Sequence, residues 1–535
     1  MEKFKLLLTT FLLVFVQLSG KTQLTSDTIN GNSVLAVLFD QGGLFNNPSI
    51  GAAGYELPSG SGNHLIFNSG FWFAGTNQNG DLKLAARKFG QATDFYRGPY
   101  SLTGDYSNTA YINEYQGGIW TVSKSEIIQH INNYNQPNYV APQGIENWPG
   151  NGNPNIGVAD QLAPYVDVNN NNIYEPYQGD YPCIKGDVAS YQIMHDDSTH
   201  NNSGGERIGA EIHIMVYQIA SSNYIDSTTF IEVKVFNKGQ NSFTNFKSSL
   251  FIDGDIGFSD DEYIGSNPSR NLMYNYNGTN SDPGGNGQPG YGSNPPTVGV
   301  VSLNNTIDYS GYFNRPDLGG PYSHAPSTPS DYWNYMNGKW KDGTDWTQGG
   351  NGYGGTTPTQ HLYDGNPFQG TGWTELDTDG MGTSNSYGDR RFVMTTAESN
   401  FVPGDTLEYH YAVIANRRGD HLENVQGIID YADSVQQYYN NMSTSCMQQG
   451  TTSVDVSDLN ISNVKLFPNP ATNQVIVTWS NVEADNIIIY SFHGKIVGNT
   501  LINENEGKTV LDISSLSKGI YFVKIGNTTQ KLVIQ

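Results

Sequence analysis

Runs of five to nine residues in which apolar and polar side chains tend to alternate recur along the first 440 residues, each stopped by Gly, Asn, Asp or Pro. They include Leu65 to Phe73, Ile212 to Tyr217, Phe230 to Phe236, Ser248 to Ile252 and Leu407 to Ile414. A period of two puts neighbouring side chains on opposite faces of a strand, so these runs fit sheets. In the third run Ile231, Val233 and Val235 share one face, and Phe230, Glu232, Lys234 and Phe236 share the other. Between such runs, 61 glycines and abundant Asn in a chain of 535 residues supply positive-φ turns at little steric cost. The expectation is an all-β protein with a large β-sandwich-type body over residues 21–440, built as one sandwich or two. Segments 277–296 and 337–372, dense in Gly, Asn, Pro and Trp, are expected to be loops or very short strands.

One segment breaks the rule of two. Leu422, Val425, Ile428, Ile429, Ala432 and Val435 repeat at i, i+3, i+4 and i+7, which predicts an amphipathic helix closing the body. Residues 441–463, rich in Asn, Ser, Thr, Gln and Gly with no sustained period, read as a linker. At the other end Lys3 and Lys5 precede the apolar run Leu6 to Val16, followed by Ser19 and Gly20. That pattern predicts a signal peptide over residues 1–20, cut after Gly20 with Leu18 at position −3. No Cys near the cut supports a lipid anchor. No later stretch approaches the ~20 apolar residues of a transmembrane helix, so a water-soluble mature protein is expected.

Charge narrows the partners. With 51 acidic against 27 basic residues the formal charge is −24, which disfavours nucleic acid and anionic headgroups. The surplus carboxylates either keep an extracellular protein soluble or gather round divalent cations. Cys183 and Cys446 are the only cysteines; a bridge would tie the middle of the body to its C-terminal edge, and the 262 residues between them leave open a bridge or two thiols.

Two acidic loops are candidate Ca²⁺ sites. In the first, Asp167, Asn169, Asn171 and the Ile173 carbonyl fall at positions 1, 3, 5 and 7, where alternate groups converge on one centre. Glu175 or Asp180 would complete the shell, whereas Gln178 in place of a bidentate Glu and the helix-blocking Pro176 exclude an EF-hand. In the second, Asp253, Asp255, Asp260, Asp261 and Glu262 fall within ten residues after a predicted strand, and repel one another unless a cation or Arg270 neutralises them. His195, Asp196, Asp197 and His200 lack metal-site spacing and read as a polar turn. Trp333, Tyr335, Trp340, Trp346, Tyr353 and Trp373 either stack on sugar faces or, the favoured reading, fold inward under their loop. No nucleophile elbow, P-loop or dinucleotide fingerprint stands in context.

From Val464 the text becomes compact. Val475, Val477 and Trp479 share a face, Ile487 to Tyr490 and Leu511 with Ile513 follow, and five or more short strands in about 72 residues predict a small antiparallel β-sandwich. Its marks are Phe467, Pro468, Asn469 and Pro470 at the start, a turn at Gly494 and Lys495, Gly519, Ile520 and Tyr521 closing a stretch from Leu516, and a terminal Lys531, Leu532 and Val533. Residues 464–535 resemble the type A C-terminal sorting domain of type IX secretion cargo. The resemblance implies recognition by the outer-membrane translocon, frequent cleavage, and release or attachment to surface lipopolysaccharide. The body resembles cargo proteins of that system in Gly70 to Gly75, Glu146 to Pro149, Leu162 to Asp167, Gly179 to Pro182, Asp253 to Gly257, Arg270 with Asn271, and Pro403 to Thr406. This second resemblance implies no activity. The function expected is an exported binding, adhesive or structural module stiffened by Ca²⁺, with a surface glycan among its partners. The rival is a secreted polysaccharide hydrolase drawing acid and base from the cluster Asp253 to Glu262.

Overall fold

The computed structural model describes residues 26–442 and 463–535, apart from 48–50, 91, 116–117, 286, 317, 399, 481–485, 492–494, 503–506 and 526–527. The expected signal peptide, most of the linker, Cys446 and Gly494 lie outside the described residues. The chain divides into two compact units, Met1–Met447 and Gln448–Gln535.

The first unit is built on two antiparallel sheets. One has ten strands, running Tyr309–Asn314, Arg390–Ala397, Lys247–Asp253, Asn68–Thr76, Gly43–Leu44, Leu35–Phe39, Tyr55–Glu56 and His64–Ile66, with Ser26–Ile29 and Leu82–Ala86 paired off this path. The other has nine, running Tyr96–Arg97, Val188–His195, Ala210–Gln218, Thr228–Asn237, Thr406–Asn416, Thr297–Ser302, Leu272–Asn277 and Glu262–Asn267, with Ile119–Ser123 against Val188–His195. The alternating runs read from the sequence all fall within or across these strands.

The faces sort as the alternation requires. Ile231, Val233 and Val235 enter a core shared with Phe71, Trp72 and Phe73 of the first sheet, where Phe71 and Tyr411 meet across the layers at 5.9 Å. Phe230 points the other way, stacks on Tyr217 at 5.1 Å, and joins a second core with Ile414 and the helix His421–Asn441. The second sheet is thus covered on both faces, and every residue of Ala210–Gln218 is buried.

The helix buries Val425, Ile428, Ile429, Ala432 and Val435, as its spacing predicts. Its start is fixed by a capping box: Asp420 accepts from the N–H groups of Leu422 and Glu423 at 2.9 Å, and Glu423 Oε2 accepts from the N–H of Asp420. It is not the sole helix. Lys124–Asn133, capped by Ser123 and Glu126, and the short helices Thr109–Tyr115, Gln143–Glu146 and Pro329–Tyr335 also form. Lys124–Asn133 buries only Ile127 and His130, too few apolar positions to announce a helix by periodicity.

Cys183 is disulfide-bonded, and the sequence holds one other cysteine, Cys446. The second unit pairs a three-stranded sheet (Asn463–Phe467, Gln474–Ser480, Gly507–Asp512) with a four-stranded one (Ile496–Leu501, Asn486–Ser491, Gly519–Ile525, Thr528–Ile534). Val475, Val477, Ile487, Val523 and Leu532 fill the space between them. Removing the buried side chain in Ile428→Ala should destabilise the body by about 2–5 kcal/mol. Asp420→Ala should cost about 1 kcal/mol through the lost cap, both read by chemical denaturation.

Candidate functional site

The acidic site is created by strand register. Lys247–Asp253 pairs with Arg390–Ala397 so that Asp253 stands opposite Arg391, and Asp389 lies one residue before that partner strand. Asp255 follows two residues after Asp253. Among the described residues the group of acidic, His or Cys side chains able to converge on a metal is Asp253, Asp255 and Asp389, whose ligand atoms lie within 4.8 Å of one another. The connecting loop is tight: a Cβ at Gly254 would strike the Asn275 side chain. Gly257 adopts φ +70° with Asp282 packed against it.

Neutralisation comes from Arg391 and Arg315. Arg391 Nε donates to Asp253 Oδ1 at 2.8 Å and its Nη2 to Asp389 Oδ2 at 2.7 Å, while Arg315 Nη1 lies 2.9 Å from Asp260 Oδ1. Arg270, the neutraliser expected from the sequence, instead pairs with Asp433 of the closing helix at 2.8 Å. Its nearness in sequence is no guide, because the register delivers Arg391 to Asp253.

Two guanidinium groups face six carboxyls: Asp253, Asp255, Asp260, Asp261, Glu262 and Asp389. Glu262 is fully buried; its Oε1 accepts from the N–H of Ile256 at 3.1 Å, and its Oε2 has no hydrogen-bond partner. Asp389, also buried, leaves Oδ1 unpartnered. Burial, then repulsion from Asp253 and Asp389, holds the Asp255 carboxyl well above the usual carboxylate range. Glu262 is raised by burial and by Asp255, Asp261 and Asp389. Burial, then Asp253, pushes Asp389 up to about 7, and burial with Asp282 does the same to Asp261. Glu262 Oε2 and Asp389 Oδ1 lack donors, as they would if a cation supplied the missing positive charge.

The first loop is arranged differently. Asp167 accepts from the N–H groups of Asn171 (3.3 Å) and Asn172 (2.7 Å), and Asn171 Oδ1 accepts from Ile173 at 2.8 Å. Glu175 accepts from the Asn171 side-chain amide at 2.6 Å, and Asn169 Oδ1 accepts from the Asn171 N–H. Asp180 is buried and accepts from the Val168 and Glu175 N–H groups, each at 2.8 Å. The loop satisfies its own oxygens through successive Asx turns. His200 places both ring nitrogens on carbonyls, those of Leu84 (2.7 Å) and Asp196 (2.9 Å), and His195 stacks on Tyr106. Most of the aromatic segment folds inward: Tyr335, Trp340 and Trp346 are fully buried and Trp373 nearly so, while Trp333 is half-buried and Tyr353 is exposed.

Asp389 is the member of the site that the sequence did not announce. It follows Gly388 in a loop of its own, far from the other acids in sequence, and only the strand pairing brings it in.

In the second unit the motif residues close a clasp. Asn469 Nδ2 donates to the Lys531 carbonyl at 2.6 Å, and its Oδ1 accepts from the Val533 N–H at 2.8 Å. Ala471 bonds to Val533 and Gln535 by backbone, and Tyr521 Oη donates to the Ser517 carbonyl at 2.8 Å. Pro468 and Pro470 flank Asn469 on the exposed side, and Gly519 opens the strand that pairs with the last one. Residues 465–535 match the family model of the secretion system C-terminal sorting domain.

This segment is a sorting domain of type IX secretion. The chain is cargo of that machinery, exported across the outer membrane to the cell surface or the extracellular space. No helix among the described residues is long and apolar enough to cross a membrane. No curated protein matches the sequence. Among solved structures, a polysaccharide lyase aligns at TM-score 0.19 and 9% identity, over 61% of this chain and 34% of its own. An Aspergillus nidulans amine oxidase aligns at 0.23 and 8%, over 74% and 52%. The alignment spans about a third of the lyase, and likenesses this slight bear on neither fold nor function.

A pH dependence follows for the metal-free body. A carboxyl whose folded pKa is about 7, against 3.8 for an ordinary Asp, keeps a proton in the native state that the unfolded chain releases. Its stabilisation is complete below the unfolded pKa and lost as pH rises through the folded one. In EDTA the melting temperature should therefore fall from about pH 4 to about pH 7, and Asp389→Asn should flatten that fall.

Proposed function

We propose that the body is a binding module displayed outside the outer membrane and braced by one Ca²⁺ at Asp253, Asp255 and Asp389. The observation that carries this reading is the pair of buried, partnerless oxygens, Glu262 Oε2 and Asp389 Oδ1, beside three converging carboxylates. An all-oxygen donor set with no imidazole or thiolate suits a hard cation. The ion would join the loop after Lys247–Asp253 to the start of Arg390–Ala397, stiffening two neighbouring strands of the first sheet.

Polysaccharide hydrolysis has weaker support. A glycosidase needs two carboxyl groups about 5–9.5 Å apart across an open substrate cleft. Here Asp253, Asp255 and Asp389 converge within 4.8 Å with Arg391 tied to two of them, and Trp340, Trp346 and Trp373, which could have gripped a glycan chain, are buried.

Calcium at about a hundredfold over its Kd should stabilise the body by about 2.7 kcal/mol, seen as a rise in melting temperature that EDTA reverses. Asp255→Asn should abolish the rise while leaving the Arg391 pairs intact, whereas Asp167→Ala should preserve it. An equal response in wild type and Asp255→Asn would remove the metal from this site. For export, Asn469→Ala opens the clasp on the last strand and should lower surface levels with periplasmic accumulation. Deletion of 464–535 should abolish surface display altogether, and normal display of the deleted form would contradict the sorting role.

A further inference from the structure

A cavity of about 300 Å³ lies on the outer face of the second sheet and shares no residue with the acidic knot. Strand register lays out its floor in two rows. Tyr191, Met215, Glu232 and His410 are successive cross-strand partners in one, and His213, Lys234 and Glu408 in the next. One wall comes from the segment holding Ile184, Lys185 and the disulfide-bonded Cys183. The volume is that of a small-ligand site.

Its charges are already matched. Lys185 Nζ meets Glu232 Oε1 at 2.5 Å and Lys234 Nζ meets Glu408 Oε1 at 2.8 Å, so the cavity offers no net charge to an ionic ligand. A chain of formal charge −24 further disfavours acidic polymers. What remains is hydrogen-bonding capacity. Glu211 lies 3.2 Å from His213 Nε2, which places the proton there and leaves Nδ1 to accept from Tyr191 Oη at 2.8 Å. His410 Nδ1 contacts Tyr439 Oη at 2.5 Å, and burial keeps its imidazole below the usual range, hence neutral. Its Nε2 is buried with no hydrogen-bond partner, 3.7 Å from Glu408 Oε2.

An apolar patch of Met215, Ile184 and the Tyr191 ring beside a rim of alternating donors and acceptors suits a neutral ring with hydroxyls on its edge. We propose that this cavity is a subsite for one neutral sugar ring of a surface glycan. The C–H face of the sugar rests on Met215 and Tyr191, and its hydroxyls bridge Glu232, Lys234, Glu408 and His410 Nε2. This deepens the reading of the body as a binding module and does not depend on the metal.

The test is saturation-transfer NMR and calorimetry on the full chain. The probes are the methyl glycosides of glucose, galactose, mannose and N-acetylglucosamine, with galacturonic acid as the charged control. At least one neutral glycoside should bind with a Kd of about 1 mM, as expected of a single-ring contact. Lys234→Ala combined with Glu408→Ala, at side chains 46% and 44% exposed where folding is not at risk, should weaken it at least about tenfold. Binding of galacturonic acid alone, binding indifferent to the double variant, or no neutral glycoside bound would overturn the subsite. Calcium-induced stabilisation read on the same samples keeps the two ideas apart, since its loss with sugar binding intact sinks only the metal centre.

Discussion

Burial of the second sheet on both faces is the constraint on which the body depends. A sheet open to water on one side tolerates polar residues there, but this one is covered by the first sheet on one face and, over most of the other, by the helix His421–Asn441 and the segment around Trp148. Each polar side chain that points into either layer must then find a partner or be costly. Along Ala210–Gln218 the pairs are visible: Glu211 with His213, His213 with Tyr191, and Gln218 with Thr229 and the Val34 carbonyl. Beside the helix's cover, the same alternation that buries Phe230 and Ile414 delivers Glu232, Lys234, Glu408 and His410 to a cavity. Core and cavity are two stretches of one strand face.

The acidic knot follows the same logic at the ends of two interior strands of the first sheet. Antiparallel pairing sets the end of Lys247–Asp253 beside the start of Arg390–Ala397, so the loops leaving the two strands emerge together. Both loops are acidic, and only Arg391 and Arg315 come with them. Coulomb repulsion among buried carboxylates is poorly screened, which is why their proton affinities rise as a group. Such a cluster persists in a folded protein if protons or a cation bear the cost, and outside the cell at neutral pH a divalent cation is the stronger candidate.

Much of the fold was legible because its signals are local. Period-two runs marked the central strands and their inward faces, down to Ile231, Val233 and Val235, and the 3.6-residue period marked the helix with its buried positions. The sorting domain was legible through motifs in fixed order. What sequence could not deliver is whatever depends on long-range register. Asp389 joins Asp253 only through strand pairing, and Arg391 displaced Arg270 as its neutraliser for the same reason. The groups of the cavity floor are spread from Tyr191 to His410, each inside a strand whose alternation gives no hint of a site. Short helices such as Thr109–Tyr115 escaped because a single turn or two carries no usable period.

The sorting domain shows how a short motif acquires meaning through one side chain. In the run Pro468, Asn469, Pro470, neither proline has an N–H to give, so the backbone there cannot join a ladder as an ordinary strand would. Asn469 takes over that work with its side chain, donating to the carbonyl of Lys531 and accepting from the N–H of Val533, much as a neighbouring strand would. Ala471 continues the contact with backbone bonds to Val533 and Gln535. The opening words of the motif are therefore held by its closing ones, across a sheet whose last strand has one ladder partner among the described residues, Gly519–Ile525. A module lacking either end would leave the clasp unmade and an edge strand with a single neighbour, so the two terminal words of the motif have physical content only as a pair.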